Sequence, residues 1–276
     1  MIGNLKFRFN TTIAKKLLMA VTGLAMVLFL IGHLVGNLQL LWSSDQFNAY
    51  AGFLTAQPIV ILVELGLMAI LALHVVDAFV LLRQNYNARP VGYHSKTWGR
   101  TKSPRSKKTW ASTLMMWSGI FILVFIIGHV WHFKYHHPVA SPDLGHDSSI
   151  VVGVGGVGVA SADGSSGGGV NRLAQMVVSE FRNRFISGIY ILSMLILGAH
   201  LYHAISSAMT SLGGNHPRYQ KLIMWAGNLF TAVITFGFLA IPLWFLLGLP
   251  ANGDSSAKPV ANEVAQTAPV APVVGQ

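Results

Sequence analysis

Histidine is the residue type whose placement in this sequence points most directly to chemistry. The chain has 11 histidines, and the following fall inside or at the ends of long apolar stretches: His33, His74, His129, His132, His200 and His203. Ionisable side chains in apolar membrane segments are rare and usually functional. A neutral imidazole binds iron and other transition metals well, and it can also form a hydrogen bond between helices. A single histidine would favour the hydrogen bond, but a set spread over four stretches favours metal ligation.

The composition indicates a membrane protein. Of 276 residues, 53% are hydrophobic and 10% are charged, whereas soluble domains carry about a quarter charged residues. Cysteine is absent, which excludes disulfides, thiolate zinc sites, cysteine-bound iron–sulfur clusters and c-type haem attachment within the chain. The class that remains is a polytopic membrane protein rich in histidine.

Helices long enough to cross a bilayer must position these histidines. Crossing takes about 20 apolar residues, and the stretches that qualify are about Leu17–Leu41, Pro58–Leu82, Trp110–Phe133, Phe185–Met209 and Leu222–Leu249. We therefore expect an all-α polytopic membrane protein with five transmembrane helices. The first apolar run is too long for a signal peptide, so we expect it to be retained as a helix.

The connecting segments define the remaining organisation. We predict a cytoplasmic N-terminus at 1–16, a transmembrane domain at 17–250 and a disordered tail rich in Pro, Ala and Val at 251–276. A glycine-rich insertion occupies about 138–178 and contains a formal G-x-G-x-x-G at Gly153, Gly155 and Gly158. We interpret it as a flexible outer loop, because a dinucleotide site needs a strand before the glycines and a helix after them.

Basic residues predict the orientation in the membrane. Lys and Arg number 19 against 9 Asp and Glu, a net charge of +10. They concentrate in the N-terminus and between spans two and three, which places the N-terminus in the cytoplasm and the C-terminus outside, in the periplasm, of a cell (inner) membrane. Arg182 and Arg184, beside span four on the outer side, are exceptions. Sorting by membrane side favours lipid headgroups or a soluble partner over nucleic acid.

The depth of the histidines sorts them into two layers. His33 and His129 fall in the outer half of their spans, and His74 and His200 fall in the inner half. At a rise of 1.5 Å per residue the layers are roughly 12–15 Å apart. Two histidines that face each other across a bundle can ligate one haem iron from both sides, so two stacked haems would form an electron path. Small residues near these positions would give a flat macrocycle room: Gly32, Gly36, Ala78, Gly128, Gly198 and Ala204.

Two histidine pairs leave the choice of ligand open. His129 and His132 share a helix face, as do His200 and His203. Such pairs could bind a non-haem metal, but the faces carry no acidic residues to complete the site. His132 and His203 lie nearer the membrane edges, which suits contacts to a bound ligand histidine or to haem propionates.

The histidine-bearing runs resemble a known family. FLIGHLVGN (His33), ILALHVVDAFVLLR (His74), FIIGHVWHF (His129) and GAHLYHAISSAMTSLG (His200) are similar to the single-chain, five-helix, di-haem cytochrome b subunit of succinate:quinone oxidoreductases. The resemblance covers about residues 12–250, and the segment VVSEF before span four is also similar. It implies that the first four helices form a haem-binding bundle.

The resemblance also implies cofactors, partners and roles. His74 and His200 would hold the proximal haem b, and His33 and His129 the distal one. A flavoprotein subunit and an iron–sulfur subunit would bind on the cytoplasmic face, and electrons would pass to a quinone, expected to be menaquinone. The chain would thus serve succinate dehydrogenase without a dehydrogenase site of its own. The propionates could pair with Arg182 and Arg184.

Some positions depart from the family or stay open. Gly198 stands where some fumarate reductases have a glutamate attributed to proton transfer, which favours succinate oxidation here. Glu64 is the candidate contact for a proton or the quinone; alternatively, it is an interfacial carboxylate paired with Arg182 or Arg184. Other functional hypotheses are a cytochrome b subunit of a quinol:fumarate reductase or another membrane dehydrogenase, and a proton-relaying transporter without haem.

Overall fold

Seven α-helices make up most of the described structure. The computed structural model describes residues 11–88, 110–135, 148–153, 156–161, 171–214 and 216–249. The helices are α1 Thr12–Trp42, α2 Ser44–Thr55, α3 Ile59–Asn87, α4 Trp110–Val130, α5 Asn171–Arg182, α6 Arg184–Ser211 and α7 Pro217–Leu246. A π-helical turn, Trp131–Tyr135, continues α4. The predicted tail at 251–276 and residues 1–10 of the predicted N-terminus lie outside the described residues.

Five of these helices, α1, α3, α4, α6 and α7, are long and apolar enough to cross a membrane. The prediction of an all-α polytopic membrane protein is therefore confirmed. The first helix begins earlier than the predicted Leu17, because the Thr11 side chain accepts a hydrogen bond from the backbone N–H of Ala14 and caps the helix. The helix thus extends through Lys15 and Lys16.

The bundle is organised around α1. Helix α1 packs against α3, α6 and α7, while α4 packs against α6 and α6 packs against α7. The short helices α2 and α5 pack on each other at the end of the bundle that carries His33 and His129, predicted above to be the outer end. There the side-chain oxygen of Asn48 accepts a hydrogen bond from the N–H of Ala174 at 2.9 Å. Between α3 and α4 runs an apolar groove of about 340 Å³, lined by Met68, Leu71, Ala72, Val75, Val76 and Leu123.

The glycine-rich insertion contains regular structure that we did not predict. Strand β1 (Ser148–Gly153) pairs with β2 (Gly156–Ser161) in an antiparallel hairpin, with Ser148 opposite Ser161. Strand β1 contains the consecutive residues Ile150, Val151 and Val152, and in β2 Val157 and Val159 alternate with small residues; β-branched residues favour extended backbone. A strand, not a helix, follows the first glycines of the G-x-G-x-x-G, so the rejection of a dinucleotide site agrees with the backbone.

A close contact between α6 and α7 explains the glycine at position 198. A Cβ atom added to Gly198 would lie 2.5 Å from Oγ1 and 2.8 Å from Cγ2 of Thr235. Gly198 is buried, whereas Gly188 on the same helix is exposed and has open space around it. A larger side chain at position 198, glutamate included, would force these two helices apart.

We expect Gly198→Ala to destabilise the bundle by about 1–3 kcal/mol, the usual cost of overpacking a well-packed site. Gly188→Ala is the matched control, and it should be neutral or stabilise by up to about 1 kcal/mol through helix propensity. Unfolding in mixed micelles, followed by circular dichroism, measures both. Equal stability of the two variants would contradict the close packing of α6 on α7.

Candidate functional site

The inner histidines are each held by a hydroxyl group of a neighbouring helix. Thr22 Oγ1 on α1 lies 3.1 Å from Nδ1 of His74 on α3. Ser118 Oγ on α4 lies 3.0 Å from Nδ1 of His200 on α6. His74 and His200 lie within electrostatic range of each other, so both contacts belong to one inner layer.

One assignment of the histidine tautomers satisfies every contact of these two hydroxyls. Thr22 Oγ1 also lies 2.8 Å from the carbonyl oxygen of Leu18, and Ser118 Oγ lies 3.0 Å from that of Met115. Each hydroxyl has one hydrogen, and the carbonyl can only accept it. The hydroxyl oxygen therefore accepts a hydrogen bond from Nδ1–H of the histidine. The Nε2 lone pair of His74 and of His200 is left free to bind a metal.

A glycine follows each of these hydroxyl residues and lies against the imidazole. A Cβ atom on Gly23 would lie 3.3 Å from Cε1 of His74, and one on Gly119 would lie 3.5 Å from Cε1 of His200. The two contacts are equivalent, with a hydroxyl–glycine pair on one helix and a histidine on the next. A side chain at Gly23 would crowd the ring of His74, whereas a Cβ atom at Gly119 would be in ordinary contact with the ring of His200.

The outer histidines face each other directly. The ring centroids of His33 on α1 and His129 on α4 are 5.8 Å apart, and the rings are nearly perpendicular at 88°. Phe29 stacks on His33 and Phe125 on His129, and Phe238 of α7 closes the other side of His33. Nδ1 of His33 lies 3.5 Å from the side-chain nitrogen of Asn37, at the outer limit for a hydrogen bond.

A tyrosine links the outer pair to a carboxylate. The hydroxyl of Tyr190 lies 3.2 Å from Nδ1 of His129 and 3.3 Å from Nδ1 of His132. Nε2 of His132 lies 3.3 Å from Oε2 of Glu180 on α5. In one direction that satisfies every contact, Glu180 accepts from Nε2–H of His132, Nδ1 of His132 accepts from Tyr190, and the Tyr190 oxygen accepts from Nδ1–H of His129. His129 keeps a free Nε2 and His132 does not, which separates two histidines that their spacing left equivalent.

The spacing along α1 and α4 sets the distance between the layers. Thr22 and His33 are 11 residues apart, and so are Ser118 and His129. Eleven residues are close to three helical turns, so both members lie on one face, about 16 Å apart along the axis. The two hydroxyls bind the inner histidines and therefore lie at the level of the inner layer. The two layers are thus about 16 Å apart, slightly more than the 12–15 Å predicted.

The remaining predicted residues have other surroundings. His203 is half-buried, and no hydrogen bond to it occurs within the described structure. Arg182 and Arg184 are exposed on either side of Asn183, which caps α6. Glu64 forms an ion pair of 2.6 Å with Lys134 of the π-helical turn, so its alternative pairing with Arg182 or Arg184 is wrong. Lys134 belongs to the π-helical turn that extends α4, so this ion pair joins α4 to α3.

The small residues near the histidines have different neighbours from those expected. Gly36 packs against Tyr50 and Gly198 against Thr235, while Gly32 and Gly128 are exposed with open space around them. Ala78 is exposed as well. The glycines that lie against histidine rings are Gly23 and Gly119. The prediction missed them because it considered only small residues close to each histidine along the sequence, and these glycines lie on neighbouring helices.

Sequence reasoning also missed the hydrogen-bond partners Thr22, Ser118, Tyr190 and Glu180. The repeated 11-residue interval between a hydroxyl–glycine pair and a histidine, in spans one and three, was a signal available for two of them. Tyr190 had no such signal, because it lies on α6 and its partners lie on the π-helical turn and α4. Only the packing of these segments brings them together.

Loss of the Thr22 hydroxyl should remove the side-chain partner of Nδ1–H of His74. We expect Thr22→Val, which keeps the shape of the side chain, to lower the free energy of unfolding by about 1–3 kcal/mol. Thr231→Val is the matched control, because Thr231 is equally buried but its hydroxyl bonds only to the Gly227 carbonyl of its own helix. Unfolding in mixed micelles measures both variants, and equal losses would contradict the Thr22–His74 hydrogen bond.

Comparisons with models of protein families, with curated proteins and with solved structures give no match to this chain.

Proposed function

We propose that this chain is the di-haem cytochrome b membrane anchor of a succinate dehydrogenase, carrying electrons from a soluble iron–sulfur subunit to a quinone. The observation that supports this most strongly is the two-layer arrangement of four histidines. The inner pair, His74 and His200, and the outer pair, His33 and His129, come from four different helices. In three of these histidines, His74, His200 and His129, the hydrogen bond is made at Nδ1. The lone pair of Nε2 is then free to bind iron.

The residues present fit haem iron. His33 and His129 would hold the iron between two helices, because imidazole nitrogen binds iron well and a neutral ring suits an apolar site. The rings of His33 and His129 are 5.8 Å apart, with aromatic side chains around them. At the inner level, Gly23 and Gly119 leave room beside the two rings. We assign His33 and His129 to the distal haem and His74 and His200 to the proximal haem.

The protein groups around each ligand would orient it and adjust its basicity. Bound haem would supply a reversible one-electron iron couple at each level. Thr22 and Ser118 hold their histidines through Nδ1, which fixes the ring orientation and makes Nε2 a better donor. Phe29, Phe125 and Phe238 exclude water from the outer pair, and low solvent exposure is one of the factors that set a haem potential.

The electron source and the membrane side follow from composition and charge. A chain without cysteine holds no iron–sulfur cluster of its own, so electrons must arrive from a partner. The basic residues of the predicted cytoplasmic side would dock the iron–sulfur subunit, with the flavoprotein subunit beyond it. In this orientation the inner layer receives the electrons and the outer layer passes them on.

The quinone contact is assigned to the outer end of the groove between α3 and α4. Glu64 lies one turn outward of Met68 on the same face of α3, and its partner Lys134 comes from the far side of the groove. An ammonium group can donate to a quinone oxygen, and a carboxylate can exchange its proton. The apolar groove below suits the isoprenoid tail of a quinone such as menaquinone.

Other functions make different demands on these residues. A proton-relaying transporter needs a path of acidic groups, and the described spans offer Glu64, already paired with Lys134, and Asp77. Asp77 is buried, and its Oδ2 has no hydrogen-bond partner in the described part of the chain. A quinol:fumarate reductase anchor would share the haem ligands, and only the soluble subunits that co-purify with the chain distinguish it.

The purified chain should contain two low-spin b haems, detected by a reduced-minus-oxidised spectrum with haem quantified per polypeptide. His33→Ala and His74→Ala should each lose one haem, because each removes one of the imidazoles that would hold it. His216→Ala is the control, since His216 caps α7 at an exposed position. Absence of haem from the wild-type chain, or full haem content in either ligand variant, would overturn the proposal.

Glu64→Gln should lower the rate of quinone reduction by succinate on the order of 10²-fold, the usual contribution of a proton-transfer group. Haem content and haem reduction by dithionite should not change, because Glu64 is not a ligand. Asp45→Asn provides an acid-to-amide control at an exposed position on α2. An unchanged rate for Glu64→Gln would remove Glu64 from the quinone site.

A further inference from the structure

We propose that Glu180 adjusts the redox potential of the outer haem through a chain of hydrogen bonds, although it does not touch the haem ligand. Its carboxylate acts on His132, His132 on Tyr190, and Tyr190 on the iron ligand His129. This inference rests on the proposed function, because it assigns His129 to haem iron. It makes Glu180, His132 and Tyr190 positioning residues of the outer site.

The chain of contacts is continuous. Glu180 Oε2 lies 3.3 Å from Nε2 of His132, Nδ1 of His132 lies 3.3 Å from the Tyr190 hydroxyl, and that hydroxyl lies 3.2 Å from Nδ1 of His129. These residues come from α5, the π-helical turn, α6 and α4. Because three helices meet here, α5, α6 and α4 with its π-helical turn, the chain differs from a contact within one helix.

Iron binding leaves only one direction for the hydrogen bonds. A ligand bound through Nε2 carries its proton on Nδ1, so His129 must donate to the Tyr190 oxygen. Tyr190 then donates its single hydrogen to Nδ1 of His132, and His132 donates Nε2–H to Glu180. In the opposite direction the proton of His129 would sit on Nε2, where the iron must bind. All donors point toward the carboxylate, so its negative charge strengthens every bond in the series.

The inner ligands lack such a carboxylate. The hydroxyls that accept from His74 and His200 donate onward to the neutral backbone carbonyls of Leu18 and Met115. A histidine whose N–H is drawn toward a carboxylate becomes a more basic ligand, and a more basic ligand stabilises the oxidised iron. The burial of Tyr190, which is 9% exposed, keeps water from replacing the link. The charge of Glu180, which lies near the surface, therefore adjusts the redox potential of the outer haem.

The test is a potentiometric titration of the haems in the intact complex for wild type, Tyr190→Phe, Glu180→Gln and the double variant. We expect both single variants to retain two haems and to raise the midpoint potential of one haem, with the other unchanged. The double variant should match Tyr190→Phe alone, because without the hydroxyl the charge of Glu180 has no route to His129. In a His74→Ala background, which lacks the inner haem, the remaining haem should show the shift.

Each outcome is decisive. A wild-type complex without haem contradicts the proposed function itself. Two haems with unshifted potentials in Tyr190→Phe and Glu180→Gln overturn only the relay. A Glu180→Gln shift that persists in the Tyr190→Phe background shows action through space and likewise overturns it. If Tyr190→Phe does not assemble, Glu180→Gln in His132→Phe takes its place, since His132→Phe also interrupts the chain.

Discussion

An imidazole buried in a membrane bundle must give its ring N–H to an acceptor, and lipid offers none. An unpaired polar group in such surroundings costs several kcal/mol, so an acceptor on a neighbouring helix stabilises a buried histidine. Thr22 meets this requirement for His74, Ser118 for His200 and Tyr190 for His129. These pairs fix the register of α1 against α3 and of α4 against α6, since a slip of one residue would turn the hydroxyl about 100° away. Packing of the apolar surfaces tolerates several registers, whereas these hydrogen bonds select one.

The elements could be predicted from the sequence, and most of the contacts could not. Apolar length specifies helices, because each spanning segment must satisfy its own backbone hydrogen bonds. The depth of His33 and His129 followed from their position along a helix of known rise. Which faces meet is decided by packing between segments distant in sequence, as the Glu64–Lys134 pair and the Tyr190 contacts illustrate. Glycines were misassigned for the same reason: Gly198 serves the contact of α6 with α7 and adjoins no ring.

In the described part of the chain, two short helices cover the end of the bundle that carries His33 and His129, predicted to be the outer end. Helices α2 and α5 pack together over it, with Phe47, Val177 and Phe181 buried between them and the spanning helices. Phe181 also lies against Tyr190, with ring centroids 5.0 Å apart. Glu180 precedes Phe181 on α5, so burial of the phenylalanine holds the carboxylate over His132. The outer cap is thus part of the histidine cluster, and a change in how α5 packs would alter the cluster's electrostatics.

The matching intervals in α1 and α4 show that the bundle is built from two similar halves. Each half begins with a helix that carries a hydroxyl–glycine pair and, 11 residues later, a histidine. Each continues with a helix whose histidine bonds to that hydroxyl, α3 in the first half and α6 in the second. Each half supplies one histidine to each layer, so two copies of a single helix pair would already contain both layers. The pairs α1–α3 and α4–α6 are therefore interchangeable in what they supply to the two layers, whereas α7 packs on α1 and α6 and supplies no histidine to either layer.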